Sequence, residues 1–236
     1  MITLGARLEA CASLVRKGKV PADVGTDHAY LPIWLIQNGI AEKAYASDIN
    51  EEPIKTAKNN IERYGLSDKI IAFTADGLQN TPYDDVDDII IAGMGGDNIA
   101  EILSSADWLK NYRYRLILQP MSRASKLREF LYKNGFVIIY EKAVCEAGRV
   151  YTVICSEYSD QPTEYNEFDV FAGKLDCKDK YATLLLKKQA GILRSIAEGY
   201  GAKGNLSEKK RMSDLADDID QYAMGGKQGD KRKECL

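Results

Sequence analysis

The stretch Lys19 to Ile33, K-V-P-A-D-V-G-T-D-H-A-Y-L-P-I, decides how the rest of the chain is read. Val20, Ala22 and Val24 are the apolar end of a buried strand. Gly25 opens a turn in which backbone can pass close to a ligand, and a helix follows. Strand, glycine turn and helix in that order cradle a nucleotide. The turn departs from the dinucleotide fingerprint G-x-G-x-x-G, because Gly25 is its only glycine and Thr26, Asp27 and Ala29 follow it. Asp23 and Asp27 bracket the turn with carboxylates, a poor setting for a pyrophosphate. A cofactor with hydroxyls and an ammonium group suits this charge better, so S-adenosylmethionine (SAM) ranks above NAD.

Working outward, the chain alternates strands and helices. Upstream, Leu4, Leu8, Ala12 and Val15 have helical spacing, with Arg7 on another face as a candidate cation for a cofactor carboxylate or a plain surface arginine. Downstream, a helix over Ala29–Asn38 ends at Gly39, and a strand over Lys43–Ser47 delivers Asp48. An acidic residue at the end of that strand accepts hydrogen bonds from ribose hydroxyls, while Asn50, Glu51, Glu52 and Pro53 read as a helix start. After the helix Pro53–Tyr64, a strand over Lys69–Ala75 runs into Asp76-Gly77, either a plain turn or the place where a carboxylate meets an adenine amino group. Asp84, Asp85, Asp87 and Asp88 read as a solvated acidic loop. Asp88–Ala92 is an unbroken apolar strand that ends in Gly93-Met94-Gly95-Gly96, and three glycines in that place predict a wall of the reaction centre. A helix over Asp97–Leu109, a strand over Arg115–Gln119 and a helix over Ser125–Lys133 follow. Phe136–Val144 and Arg149–Cys155 read as a hairpin joined by Cys145 to Gly148.

This order predicts an α/β fold of the class I methyltransferase, Rossmann-like type: a mostly parallel sheet with a terminal antiparallel strand. Past a polar boundary at Tyr158–Glu164 the pattern changes. Tyr181, Leu185, Ile192 and Ile196, then Met212, Leu215, Ile219 and Tyr222, repeat at three- and four-residue steps around a glycine-rich turn, which predicts a C-terminal helical hairpin or short antiparallel coiled coil. The expected organisation is a SAM-binding domain over 1–160, a helical domain over 161–225 and a disordered tail over 226–236.

Bulk composition sets limits. A chain of 236 residues with 45% hydrophobic content has ample material for a core, and a net charge of −3 excludes a uniformly basic, nucleic-acid-coating surface but leaves room for a local patch. The cysteines, Cys11, Cys145, Cys155, Cys177 and Cys235, are dispersed with no Cys-x-x-Cys pair, so free thiols and no metal site are expected. No leader-like or membrane-spanning run is evident, which predicts a soluble, cytoplasmic protein without a membrane partner.

The runs D-V-G-T-D-H-A-Y-L (Asp23–Leu31), A-S-D-I-N (Ala46–Asn50), Asp76-Gly77-Leu78 and A-G-M-G-G (Ala92–Gly96), in this order, resemble the bacterial tRNA (adenine-22-N1)-methyltransferases over nearly the whole length. The resemblance implies SAM as methyl donor and N1 of an adenine in the tRNA D arm as acceptor. It implies that Asp23, Gly25, Thr26 and His28 shape the methionine end of the cofactor site, and Arg7 and Asp27 are further candidate cofactor contacts. Asp48, Ile49 and Asn50 would hold ribose and adenine, Asp76 and Gly77 the adenine edge, and Gly93 and Met94 the reaction centre. Asp27, His28 and Met94 are the candidate catalytic residues, Asp27 because its carboxylate can accept from the target amino group or offset the cation that develops. Tyr30, Gly95 and Gly96 would face the target base. Arg113, Arg115, Arg123, Lys126 and Arg128, and the hairpin's Lys187, Lys188 and Arg194, are candidate RNA contacts because they concentrate positive charge on an acidic chain. The expected assembly is a monomer or weak dimer. Two other readings stay open on the residues: a methyltransferase of a small molecule or protein that dimerises through the hairpin, and a non-catalytic RNA-binding protein that has kept the fold.

Overall fold

The computed structural model describes residues 2–161 and 163–225; the tail expected over 226–236, with Cys235, lies outside them. Seven strands form one sheet in the order β3-β2-β1-β4-β5-β7-β6. β1 (Pro21–Val24), β2 (Ala44–Asp48), β3 (Ile70–Thr74), β4 (Asp88–Gly95) and β5 (Arg115–Ser122) are mutually parallel. β7 (Arg149–Tyr158) is inserted antiparallel between β5 and β6 (Phe136–Glu146). The strand order reverses at β1 and β4, and ligands of open α/β sheets bind beyond the carboxyl ends of the strands at such a switch point.

The helices α1 (Ala6–Ala12), α2 (Tyr30–Gln37) and α3 (Glu51–Arg63) cover one face of the sheet, and α4 (Gly96–Ser104) and α5 (Ala124–Lys133) cover the other. Alternation along β4 sorts its isoleucines accordingly. Ile90 joins the cluster with Leu31, Ile33 and Leu35, whereas Ile89 and Ile91 join Ile99, Leu116, Leu118 and Leu127. All three isoleucines are fully buried, each contributing about 1.5–3 kcal/mol by burial.

The helix expected over Asp97–Leu109 ends at Ser104, with a separate 3-10 turn over Asp107–Leu109, and three further features differ from the sequence reading. The loop between β6 and β7 is two residues, Ala147 and Gly148, both at positive φ (49° and 73°), so Cys145 and Glu146 belong to the strand. Such a turn matches the twist of the strands it joins, and the hairpin runs farther than its apolar pattern indicates. The acidic loop is only partly solvated, with Asp84 exposed and Asp87 and Asp88 buried. Asp88 is fully buried and accepts from the Arg16 backbone N–H and Nε at 2.7 Å each, Asp87 accepts from the Val20 N–H at 3.2 Å, and Asp85 accepts from Lys43 Nζ and Tyr45 Oη at 2.6 Å each. These carboxylates fasten the amino-terminal ends of the central strands. The third difference lies in the C-terminal hairpin.

That hairpin consists of α7 (Lys180–Ala202) and α8 (Leu206–Ala223), preceded by the short α6 (Glu167–Ala172). Asp179 caps α7 by accepting from the Tyr181 and Ala182 N–H groups at 2.8 Å, and Asn205 caps α8 through the Glu208 N–H at 3.2 Å. The buried stripe of α7 is Leu186, Ala190, Leu193 and Ala197, packed on Met212, Leu215, Ala216 and Ile219. Ile192 and Ile196, expected in the interface, are instead 43% and 38% exposed. Ala190 and Ala197 are buried in the seam, while the larger isoleucines fall on the outward face of the same helix. The hairpin core continues onto the sheet through Ala143 and Val150.

Candidate functional site

A cleft of about 560 Å³ opens at the carboxyl ends of β1, β2, β3 and β4. Its floor is the turn after β1. Gly25 adopts φ +80°, a left-handed conformation that costs residues with a Cβ, and the Gly25 and Thr26 N–H groups both donate to the Ser47 carbonyl at 2.8 Å. A Cβ on Gly25 would stand 2.1 Å from Met94 Cε, so the turn and the Met94 side chain are in contact across the cleft.

On one side Asp48 ends β2, its Oδ1 accepting from the Asn50 N–H at 2.8 Å and from Asn50 Nδ2 at 3.3 Å, with Ile49 exposed at the lip. Asp76 and Gly77 follow β3 and line the same cavity. The opposite wall comes from α4, whose Asn98, Glu101 and Ile102, with Ser105 just past its end, recur at helical spacing. The sequence reading missed these four, along with Ala75 and Gln79. The polar face of the helix after the glycine loop was the available signal. The lining contains the carboxylates of Asp48, Asp76 and Glu101 and no lysine or arginine.

Asp23 lies beneath the turn, buried, and is not among the lining residues. Burial raises its pKa from 3.8 to about 6, against a hydrogen bond from Thr26 that lowers it and with a further push upward from Asp48. Asp27 and His28 lie in the turn beside the cleft, Asp27 Oδ2 3.1 Å from His28 Nε2. Asp27 is well exposed, and the His28 ring stands 5.2 Å from the half-exposed Tyr30 ring. Buried Ala29, at φ +55°, turns the chain between them, and Asn60 Nδ2 donates to the His28 carbonyl at 3.0 Å. His28 Nδ1 is buried without a hydrogen-bond partner among the described residues.

Past Met94, Gly95 precedes α4 as its N-cap residue, and Gly96 is buried beneath the chain after β5, where a Cβ would meet the Arg123 carbonyl oxygen at 2.4 Å. Gly96 is therefore a packing glycine and not a surface for a base. Arg7 does not line the cleft. Its Nε pairs with Glu146, its Nη1 donates to Gln119 Oε1 at 3.0 Å, and its guanidinium stands 5.2 Å from the Tyr151 ring centre.

The candidate RNA-binding cations separate by position. Arg123, 70% exposed and paired with Asp97, and Lys126, paired with Glu129 at 3.1 Å, lie at the carboxyl end of β5 beside the cleft. Lys187 and Lys188 are exposed on α7. Arg113 and Arg115 stand at the amino-terminal end of β5, opposite the cleft, Arg113 bound to Asp87 and the Asp84 carbonyl and Arg115 to Glu157, which removes them from the cleft rim. Arg128 is buried: its Nε pairs with Glu141 at 2.8 Å and its Nη1 donates to the Val170 and Phe171 carbonyls, fastening α6 to the sheet. No RNA can reach it. Arg194 bridges the hairpin to Asp217 and Asp220 at 2.8 and 2.6 Å, so its charge is already compensated.

Among the described residues, no group of three or more His, Cys, Asp or Glu side chains could hold a metal ion, and no helix is long and apolar enough to cross a membrane.

Comparison with known proteins adds the following. Residues 4–154 match the family described as a methyltransferase domain. The chain is 34% identical over 226 residues to the tRNA (adenine(22)-N(1))-methyltransferase of Bacillus subtilis (strain 168), covering 92% of this chain and 94% of that one. It superposes on the crystal structure of the B. subtilis M1A22 tRNA methyltransferase TrmK with a TM-score of 0.84 at 31% identity, covering 93% of this chain and all of the other. It also superposes on a putative tRNA (m1A22) methyltransferase of Streptococcus pneumoniae in complex with S-adenosyl-L-methionine, with a TM-score of 0.76 at 35% identity over 90% of this chain and all of that one.

Proposed function

Because the chain belongs to the tRNA (adenine(22)-N(1))-methyltransferase family, we propose that it transfers a methyl group from SAM to N1 of adenine 22 in the tRNA D arm. The observation that carries this reading is the cleft beyond β1–β4, lined by carboxylates without cations and floored by Gly25 at φ +80°. That donor set fits a ligand with hydroxyls, an ammonium and a sulfonium, and disfavours a pyrophosphate.

The cofactor supplies an electrophilic methyl on a positively charged sulfur. Asp48 holds the ribose hydroxyls, Asp76 with Gly77 the adenine edge, and Asp23, Gly25 and Thr26 shape the methionine end. N1 of adenine carries a lone pair in the ring plane and no proton. With SAM bound, N1 would take the methyl while the electron pair of the methyl–sulfur bond stayed on sulfur, so that the positive charge would appear on the ring. No general base is required. The protein's task is to extrude the adenine, align N1 with the methyl–sulfur axis and stabilise the ring cation. Asp27 accepts from the amino group of the target adenine and offsets that charge, with His28 restraining its carboxylate and Tyr30 offering a face for the base. Met94 and Gly95 wall the reaction centre. Residues 1–160 form the SAM-binding domain, and 161–225 the helical domain. Arg123, Lys126, Lys187 and Lys188 contact the RNA backbone, and the working unit is a monomer or weak dimer.

The test is transfer of labelled methyl from SAM to unmodified tRNA, with the modified base mapped and an adenine-to-guanine change at position 22 as control. Label on N1 of that adenine, lost in the control, is expected. SAM binding without transfer to tRNA would move the acceptor to another class of molecule.

A further inference from the structure

Pairing between β4 and β5 breaks at the cleft. Ala92 is opposite Gln119 and Met94 opposite Pro120, so Gly93 has no partner and forms a bulge; Gly95 is then opposite Ser122, with Met121 left over on β5. Gly93 sits at φ +82°, and Pro120 has no N–H to contribute to the ladder. A bulge bends its strand and re-aims the side chains beyond it. Here Met94, directly after the bulge, lies against Gly25 on the cleft floor.

The N–H of the bulged residue is not lost to the ladder without replacement. It donates to Gln119 Oε1 at 3.1 Å, and the same oxygen accepts from Arg7 Nη1 at 3.0 Å, while Gln119 Nε2 donates to the Pro120 carbonyl at 3.0 Å. Gln119 has no solvent exposure. With donors on one side of the amide and an acceptor on the other, only one amide orientation satisfies all three partners. Arg7 is held in turn by Glu146 at the tip of the β6–β7 hairpin, which also accepts from the Arg7 backbone N–H at 3.4 Å. The carboxyl of Glu146 is held below its ordinary range: burial pushes it up, and the Arg7 side chain and backbone N–H outweigh that. A Cβ on Gly5 would fall 2.2 Å from Glu146 Oε1, so a glycine there makes room for the carboxylate.

We infer that Gln119 is a positioning residue of the methyl-transfer site, fixing the Gly93 bulge and thereby aiming Met94 over Gly25, with Arg7 and Glu146 locking its amide. The inference rests on the function proposed above only for its kinetic arm. The replacement Gln119→Leu keeps the bulk and removes the acceptor. With isotope-labelled methionine methyls, wild-type protein should give a through-space contact between the Met94 methyl and Gly25 in the absence of any substrate, and Gln119→Leu should lose it. In methyl-transfer assays kcat should fall tenfold or more with KM for tRNA within threefold of wild type. Gln119→Leu added to Met94→Ala should cost no more than Met94→Ala alone, because both act through one side chain. Glu146→Gln, a change on the partly exposed hairpin tip, should give the same loss in weaker form, kcat down twofold to fivefold, and serves if Gln119→Leu does not fold. Retention of the Met94–Gly25 contact and of kcat in the folded variants would overturn the inference. A wild-type protein that shows the contact but transfers no methyl to tRNA would overturn the functional reading and leave the positioning role standing.

Discussion

Replacing Gly25 by alanine separates backbone strain from site geometry, because the chain carries its own control. Gly25 and Gly18 have nearly equal φ, +80° and +76°, but a Cβ on Gly18 meets nothing within 4 Å whereas one on Gly25 stands 2.1 Å from Met94 Cε. The left-handed conformation costs either alanine about 1–2 kcal/mol. For a chain of this size that lowers Tm by about 2–8 °C. Gly25→Ala must also displace the Met94 methyl by more than 1 Å to restore an ordinary separation of about 3.5 Å, at a rotamer cost of about 0.5–1.5 kcal/mol. The new methyl group and the displaced Met94 both occupy the cleft floor. Calorimetric titration should therefore show SAM affinity within about twofold of wild type for Gly18→Ala and at least about tenfold weaker for Gly25→Ala, a difference of about 1.4 kcal/mol. Gly25→Ala/Met94→Ala should recover the part of the loss that came from the collision. Equal SAM affinity in the two single variants, with equal loss of stability, would refute the assignment of this turn to the cofactor.

Further outcomes follow from the same geometry. Asp27→Ala should reduce kcat by about 10–100-fold, the scale of one lost electrostatic contact, while SAM affinity stays within threefold; parallel losses in both would make it a binding residue only. Asp23 has a folded pKa raised from 3.8 to about 6, so the folded state holds a proton that the unfolded chain has lost in that window. Its contribution to stability is complete below pH 4 and declines as pH rises through 6, by about 3 kcal/mol in total. Asp23→Asn should remove that decline from the difference between the two Tm–pH profiles, and an unchanged profile would contradict it. Lys187→Glu with Lys188→Glu should weaken tRNA binding and make the log–log salt dependence shallower by about 1–2, without altering SAM affinity; an unchanged slope would take these lysines off the RNA path. Arg128→Met leaves Glu141 buried and unpaired and should cost about 3–5 kcal/mol in denaturant unfolding, whereas Arg128→Met with Glu141→Leu should recover much of it.

The alternation of strands and helices, the glycine turn after β1 and the carboxylates at the ends of β2 and β3 were legible in the order of residues. Each of these is a local matter: periodicity, a positive φ that only glycine adopts cheaply, and charge next to a strand end are written in consecutive residues. Which charges are available emerges from the folded arrangement alone. Arg128, Arg113 and Arg115 look like free cations in the chain, and their carboxylate partners Glu141, Asp87 and Glu157 lie 13 to 42 residues away. The same holds for Asp88 and Arg16, which are 72 residues apart and turn an apparent solvated loop into a buried clamp. The antiparallel hairpin was legible in its short loop, but the insertion of β7 between β5 and β6 was not, because which strand of a hairpin joins the rest of the sheet leaves no mark on the order of residues. The α4 wall of the cleft and the relay from Glu146 through Arg7 and Gln119 to Gly93 join residues up to 139 positions apart. Such contacts exist only once the strands have assembled, since pairing in the low-dielectric interior is what offsets the cost of burying polar groups, and neighbouring residues carry no record of who the partner will be.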